Sequence, residues 1–214
     1  MTKEYGQFCG LSHALDLIGS RWTLMIVREL LVGPRRFTEL EHGLPGIPTN
    51  VLSTRLRDLE EHGLVERRLL PRPANSVVYE LTDYGRELED PLLRLGHWGA
   101  KSLPTPKSTD FVGSSSITLG LRAMFHPEAA QGMHLTFEVP VRDFVVQGRI
   151  DDGVLTVPDG CGGQPQLSIQ GDPATMMELF HGRESVATAH ATQRIAIDGS
   201  LDDAERFFQV FHLD

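Results

Sequence analysis

Apolar residues recur through the first hundred positions at helical spacing. Leu11, Leu15 and Ile18 mark one stripe, and Trp22, Met25, Ile26 and Leu30 mark a second that Ser20 can cap. Gly33-Pro34 ends that run. Phe37, Leu40 and Leu44 then predict a short helix, Pro45-Gly46 a turn, and Leu52, Leu56 and Leu59 the inner face of a helix beginning near Thr49. After Gly63 the period changes to two: residues 64–70 predict a strand, Val77, Tyr79 and Leu81 share a face of the next, and Pro71 to Ser76 connect them. Thr82 caps a last helix with Leu88, Leu92, Leu95 and Gly99 on one side, and Pro91 within it predicts a kink.

A stretch rich in Pro, Ser, Thr and Gly, including Pro104, Pro106 and Gly113 to Ser116, reads as a linker, and we place the break near residue 107. Beyond it the pattern restarts. A helix capped by Ser116 runs through Phe125, and strands are expected at 133–140, 142–150, 153–157 and 166–170. Asp172-Pro173 supplies a cap and a first-turn proline for a helix carrying Met176, Met177, Leu179 and Phe180. A strand at 194–198 precedes a closing helix that Ser200 and Asp203 can cap and that carries Phe207, Phe208 and Phe211. The chain is therefore expected to be α+β, with residues 1–107 as a mainly helical domain with a β-hairpin, 108–116 as linker, and 117–214 as an α+β domain on a largely antiparallel sheet.

Charge separates the two halves further. The net charge of −9 argues against nucleic acid as a partner until it is located. Residues 1–107 hold 14 Lys+Arg against 14 Asp+Glu, whereas 108–214 hold 6 against 15, so the whole excess lies in the second half. No apolar run is long enough for a membrane span or a secretion signal, which makes a cytosolic location and no membrane partner the default. Cys9 and Cys161 are too far apart in sequence to suggest a zinc site or a disulfide framework. No HExxH, phosphate-binding loop or nucleophile-elbow serine occurs, and the histidines show no ligand spacing, so neither an enzyme nor a metal or other cofactor is expected.

The first half carries the chemistry of a DNA reader. With its leucines inward, the helix from Thr49 turns Asn50, Ser53 and Arg57 outward at i, i+3 and i+7, with Thr49 and Thr54 beside them. Asn pairs with adenine and Arg with guanine in the major groove, while hydroxyls are more permissive. Arg35 and Arg36 enter the preceding helix, and Arg67, Arg68 and Arg72 lie on the hairpin, where flexible cations suit phosphate. Each of these could also belong to a solvated face. Cations nevertheless occur at all three places that a winged helix-turn-helix presents to a duplex, while Asp58, Glu60 and Glu61 crowd the far end of the reading helix.

Four segments carry a family resemblance: LIGSRWT (17–23), GPRRFTEL (33–40), LSTRLRDLEEHGLVER (52–67) and YELTDYG (79–85). Over roughly residues 9–102 they resemble the HxlR family of bacterial winged-helix transcription regulators. The resemblance implies a homodimer, joined through the first and last helices of the domain, on a palindromic stretch of double-stranded DNA; Leu11, Leu15, Leu88, Leu92 and Leu95 would supply the interface. It departs from the usual pattern at Ser20-Arg21 and at Pro48, where a capping Ser is common. Some members sense oxidants or electrophiles through a cysteine near the N-terminus, and Cys9 stands at that place, followed here by Gly10.

The second half, through its Asp151-Asp152-Gly153 and Asp198-Gly199 turns and the helix ending His181-Gly182, resembles a sterol-carrier-protein-like domain. That implies an apolar tunnel for a hydrophobic small molecule or lipid. Phe125, Phe137, Phe144, Met176, Met177, Phe180, Phe207, Phe208 and Phe211 are its candidate lining, the alternative being that they fill the core. Three readings of the whole follow: a regulator with an apolar effector, a lipid-carrier or scaffold module whose first domain mainly dimerises, and a thiol sensor acting through Cys9.

Overall fold

The computed structural model describes residues 5–73, 75–104, 107, 109–157 and 164–213. The chain is α+β and forms two compact units, Met1–Leu92 and Leu93–Asp214. The break expected near residue 107 thus falls inside the second unit. Cys161 and its neighbouring glycines lie outside the described residues.

The first unit opens with α1 (Gly10–Ile18), α2 (Thr23–Leu31), α3 (Phe37–Gly43) and α4 (Thr49–Glu61). The inner faces of α2, α3 and α4 meet in a core of Ile26, Val27, Leu30, Leu40, Leu44, Leu52, Leu56 and Leu59, each at most 1% exposed. Burial of this kind, at roughly 25 cal/mol per Å² of apolar surface, holds a set of short helices that would not be stable alone. Two expectations are corrected in α2. Ser20 does not cap it: Trp22 occupies the cap in a left-handed conformation, φ 78°, so the helix starts at Thr23. That start rotates Met25 outward, where it is 40% exposed and no longer part of the buried stripe.

The hairpin is β1 (Val65–Leu69) paired antiparallel with β2 (Val77–Leu81), Val65 opposite Leu81 and Arg67 opposite Tyr79. Val65, Val78 and Leu81 are its buried residues, whereas Val77 is 42% exposed, so the expected inner face of alternate residues 77, 79 and 81 does not hold. Beside β2 lies a third strand-like partner: the backbone of Arg35 bridges Tyr79 through two hydrogen bonds of 3.0 and 2.8 Å. Arg35 therefore belongs to the wing's edge and not to α3. Thr82 caps α5 (Asp83–Arg86), accepting from Gly85 N–H at 3.0 Å and donating to the Gly63 carbonyl at 2.7 Å.

A second helix, α6 (Glu89–Ala100), follows α5 where one kinked helix was expected. Pro91 lies in the first turn of α6, where its missing N–H costs nothing. Its ring opposes a helical carbonyl four residues back, at Glu87, which is where the preceding helix stops.

In the second unit α7 (Ser114–Met124) begins two residues before the expected Ser116, with Gly113 at its cap. The strands are β3 (His134–Val141), β4 (Phe144–Asp151), β5 (Val154–Thr156), β6 (Leu167–Gly171) and β7 (Ile195–Asp198), ordered β5-β4-β3-β6-β7. Each neighbouring pair is antiparallel except β3 with β6. Helix α8 (Pro173–Phe180) is capped by Asp172, α9 (Val186–Ala191) by Ser185 and α10 (Leu201–Val210) by Ser200. Helix α9 was not expected.

Candidate nucleic-acid interface

The reading helix is set by the turn before it. Gly46, at φ 86°, lets the chain reverse after α3, and Ile47, 7% exposed, anchors the turn in the core. Pro48 then provides extended backbone, φ −68° and ψ 137°, with no side-chain acceptor, so α4 starts at Thr49 with an uncapped N-terminus. Leu52, Leu56 and Leu59 are 0–1% exposed, and truncating any of them to alanine costs on the order of 2–5 kcal/mol. With those three fixed inward, Thr49, Asn50, Ser53 and Arg57 are exposed and Thr54 is half-buried.

Three hydroxyls on this face are engaged at close range. Ser53 Oγ donates to the Thr49 carbonyl and Thr54 Oγ1 to the Asn50 carbonyl, each at 2.9 Å. Thr49 Oγ1 donates to Glu41 Oε1 at 2.7 Å, tying the start of α4 to α3. The acids near Arg57 are partly occupied by other cations: Asp58 takes a 2.7 Å ion pair from Arg55, and Glu60 lies 3.9 Å from Arg67.

The wing cations divide by register. Arg68 is paired with Glu80 across the hairpin, its Nη2 2.9 Å from Oε2, and this hydrogen bond holds the Glu80 carboxyl below the usual carboxylate range. Arg67 instead lies over the Tyr79 ring, 5.5 Å from its centroid, and Arg72 is exposed near the tip. Arg36 is exposed at the cap of α3, where its N–H donates to Glu39 Oε2 at 2.6 Å. Sequence reasoning missed Glu41, Arg55 and Tyr79. Their roles depend on which residues face one another across a turn or hairpin, which only the loop geometry fixes.

The remaining candidates are dispersed. Cys9 is exposed at the cap of α1, and the backbone N–H of Ser12, followed by that of Leu11 and the Ser12 hydroxyl, pulls its thiol below the ordinary value. On α1 Leu11 is 70% exposed and Leu15 39%; on α6 Leu95 is 50% exposed, while Leu88 and Leu92 are half-buried.

In the second unit Phe137, Phe207 and Phe211 are 0–1% exposed, with ring centroids 4.6–5.7 Å apart. Phe208 joins them 5.3 Å from Phe207, Phe180 lies 5.2 Å from Phe208, and Phe125 packs 5.4 Å from Phe211. Met176 is buried at 9%, whereas Phe144 and Met177 are half-buried. A separate groove of ≈ 800 Å³, lined by Gln170, Asp172, His190, Gln193 and Arg194 among others, includes none of the nine expected lining residues.

Comparison with known proteins covers the first half. Residues 17–107 match the HxlR-like helix-turn-helix family. The HTH-type transcriptional regulator sll1512 of Synechocystis is 38% identical over 97 residues, 45% of this chain and 72% of that protein. YvaP of Bacillus subtilis, an HTH-type transcriptional regulator, is 39% identical over 88 residues, 41% of this chain and 82% of its own length. The reduced form of the transcriptional regulator YodB from B. subtilis matches 47% of this chain and all of its own, with 31% identity and a TM-score of 0.41. The buried leucines and polar outer face of α4 thus sit in a segment shared with these regulators, and the chain belongs to the HxlR-like helix-turn-helix family of transcription regulators.

Proposed function

We propose that this regulator is a homodimer that reads a two-fold-symmetric operator with α4 and grips phosphate with its wing. The observation that carries this reading is the division of α4: three leucines without solvent exposure on one side, and Asn50, Ser53 and Arg57 in solvent on the other. Arg36, Arg67 and Arg72 flank that helix as phosphate contacts, with Arg35 and Arg68 fixed more by the wing's own structure. Residues 1–107 form the DNA-binding and dimerisation portion, and exposed Leu11, Leu15 and Leu95 are the surface a second copy covers.

Duplex selection from a random library, followed by a salt titration of the selected site, tests this. Affinity is expected to fall linearly on a log–log plot as salt rises. Arg57→Ala should cost about 1–3 kcal/mol of discrimination at one base pair. Salt-independent binding, or none, defeats the proposal.

For residues 117–214 we assign an apolar small molecule or lipid as effector, in line with the sterol-carrier resemblance. The supporting feature is a set of half-buried hydrophobics, Ile117, Phe125, Val141 and Phe144 among them, packed against the buried aromatic core. These side chains, and not the interlocked Phe137, Phe207 and Phe211, offer the contact surface. Native mass spectrometry after exposure to lipid extract should show a retained adduct, and an unliganded mass throughout rejects this assignment. A second reading has its own observation: an exposed Cys9 whose thiol is acidified makes α1 an oxidant- or electrophile-responsive element. Cys9→Ser would then abolish oxidant-dependent release from DNA.

A further inference from the structure

The hydroxyl hydrogens of α4 are already committed, and this determines what its outer face can recognise. A backbone carbonyl has no hydrogen to give, so in the 2.9 Å contacts of Ser53 Oγ with the Thr49 carbonyl and Thr54 Oγ1 with the Asn50 carbonyl the side chain must be the donor. The Glu41 carboxylate is likewise an acceptor, so Thr49 spends its hydrogen there at 2.7 Å. A hydroxyl has one hydrogen and two lone pairs. All three therefore have only acceptor capacity left, and of them Thr49 and Ser53 are exposed.

Two consequences follow. Phosphate oxygens are themselves acceptors, so these hydroxyls do not bind the DNA backbone while these bonds persist, which leaves phosphate to the arginines and backbone N–H groups. On base edges in the major groove, an acceptor finds a partner only at an exocyclic amino group, adenine N6 or cytosine N4, and is opposed by guanine O6 and thymine O4. Ser53 is the most favourably placed, being exposed between Asn50 and Arg57 on the outward face. We infer that Ser53 is a specificity residue that selects an exocyclic amino group in the major groove, between the bases met by Asn50 and Arg57. This rests on the DNA-reading assignment of α4.

The test uses the full-length protein on its selected duplex, with single atoms deleted from the bases. Purine in place of adenine, or a pyrimidinone in place of cytosine, removes the amino group; 2-aminopurine in place of guanine, or a thymine analogue lacking O4, removes the carbonyl oxygen. Each duplex is titrated with wild type, Ser53→Ala and Ser53→Thr.

Removal of one particular amino group is expected to weaken wild type and Ser53→Thr roughly 3- to 10-fold. Ser53→Ala should be indifferent to the same deletion, and its salt slope should equal that of wild type. Coupling of Ser53 to a carbonyl oxygen, coupling to no base at all, or a reduced salt slope in Ser53→Ala overturns the inference while leaving α4 as the reading helix. Failure of the library to yield any preferred duplex removes the reading helix itself, and the inference with it.

Discussion

Gly85 shows how much a single missing carbon can decide. A Cβ there would lie 2.0 Å from the Leu64 carbonyl oxygen, a backbone atom that cannot move aside. That proximity comes from Thr82, which joins the end of α4 to the start of α5 by bonding Gly63 and Gly85 together. We expect Gly85→Ala to cost about 3 kcal/mol, read as a lower denaturant midpoint at unchanged slope; an unchanged midpoint refutes the contact. Asp172 argues the same way through charge. It accepts from Ala174 and Thr175 N–H at 2.9 and 3.1 Å, and the Thr175 hydroxyl is the main cause holding its carboxyl below the ordinary value. Because the folded value lies beneath the unfolded one, the stabilisation is present above the ordinary carboxylate range and is lost as pH falls through the folded value. Asp172→Ala should thus lose about 1 kcal/mol at neutral pH, and the gap from wild type should close on acidification below about pH 4. The cap was legible from Asp172-Pro173 alone, since its bonds are local. The need for glycine at 85 was not, because the obstructing atom comes from a distant turn.

At the scale of elements, legibility followed the range of the interactions. Helix α4 was readable to within about one residue, because the leucine repeat within it is a local signal, whereas Pro48 in place of a capping Ser left its start open until the structure placed it at Thr49. Helix α9 escaped notice: six residues with buried Val186 and Ala189 are too short to show a period, and only Ser185 announces it. The wing was read as three equivalent arginines, whereas register makes them different. Arg68 meets Glu80 in a close two-point ion pair and is neutralised; Arg67 meets the Tyr79 ring and only a looser 3.9 Å contact with Glu60, so more of its charge stays available. Arg67→Ala should therefore reduce the magnitude of the salt slope of DNA binding by about one, and Arg68→Ala should leave it nearly unchanged. Equal effects from both would show that the Arg68–Glu80 pair opens on DNA.

For the molecule as a whole, the sequence disclosed two halves of unlike charge and the strands of the second, but not their order. Strand β6 lies beside β3 in parallel, and no local pattern encodes a partner some thirty residues away. The proposed assembly would depend on the surface and not on the core. Tyr5 and Phe8 before α1, Leu11 on α1, and Leu95 and Trp98 on α6 are 50% or more exposed. Water contact with so many large apolar groups is unfavourable, and the proposed second copy would relieve it. Leu11→Glu combined with Leu95→Glu should convert a dimer to a monomer by native mass. Since joining two reading helices makes the second contact intramolecular, affinity for a two-fold site should then drop by about 100-fold or more, with a half-site bound as before. Val154→Glu, an equally exposed apolar position at the sheet edge of the second unit, serves as the comparison and should change neither mass nor affinity. A double variant that stays dimeric, or a monomer that keeps full affinity for the two-fold site, would place the interface elsewhere.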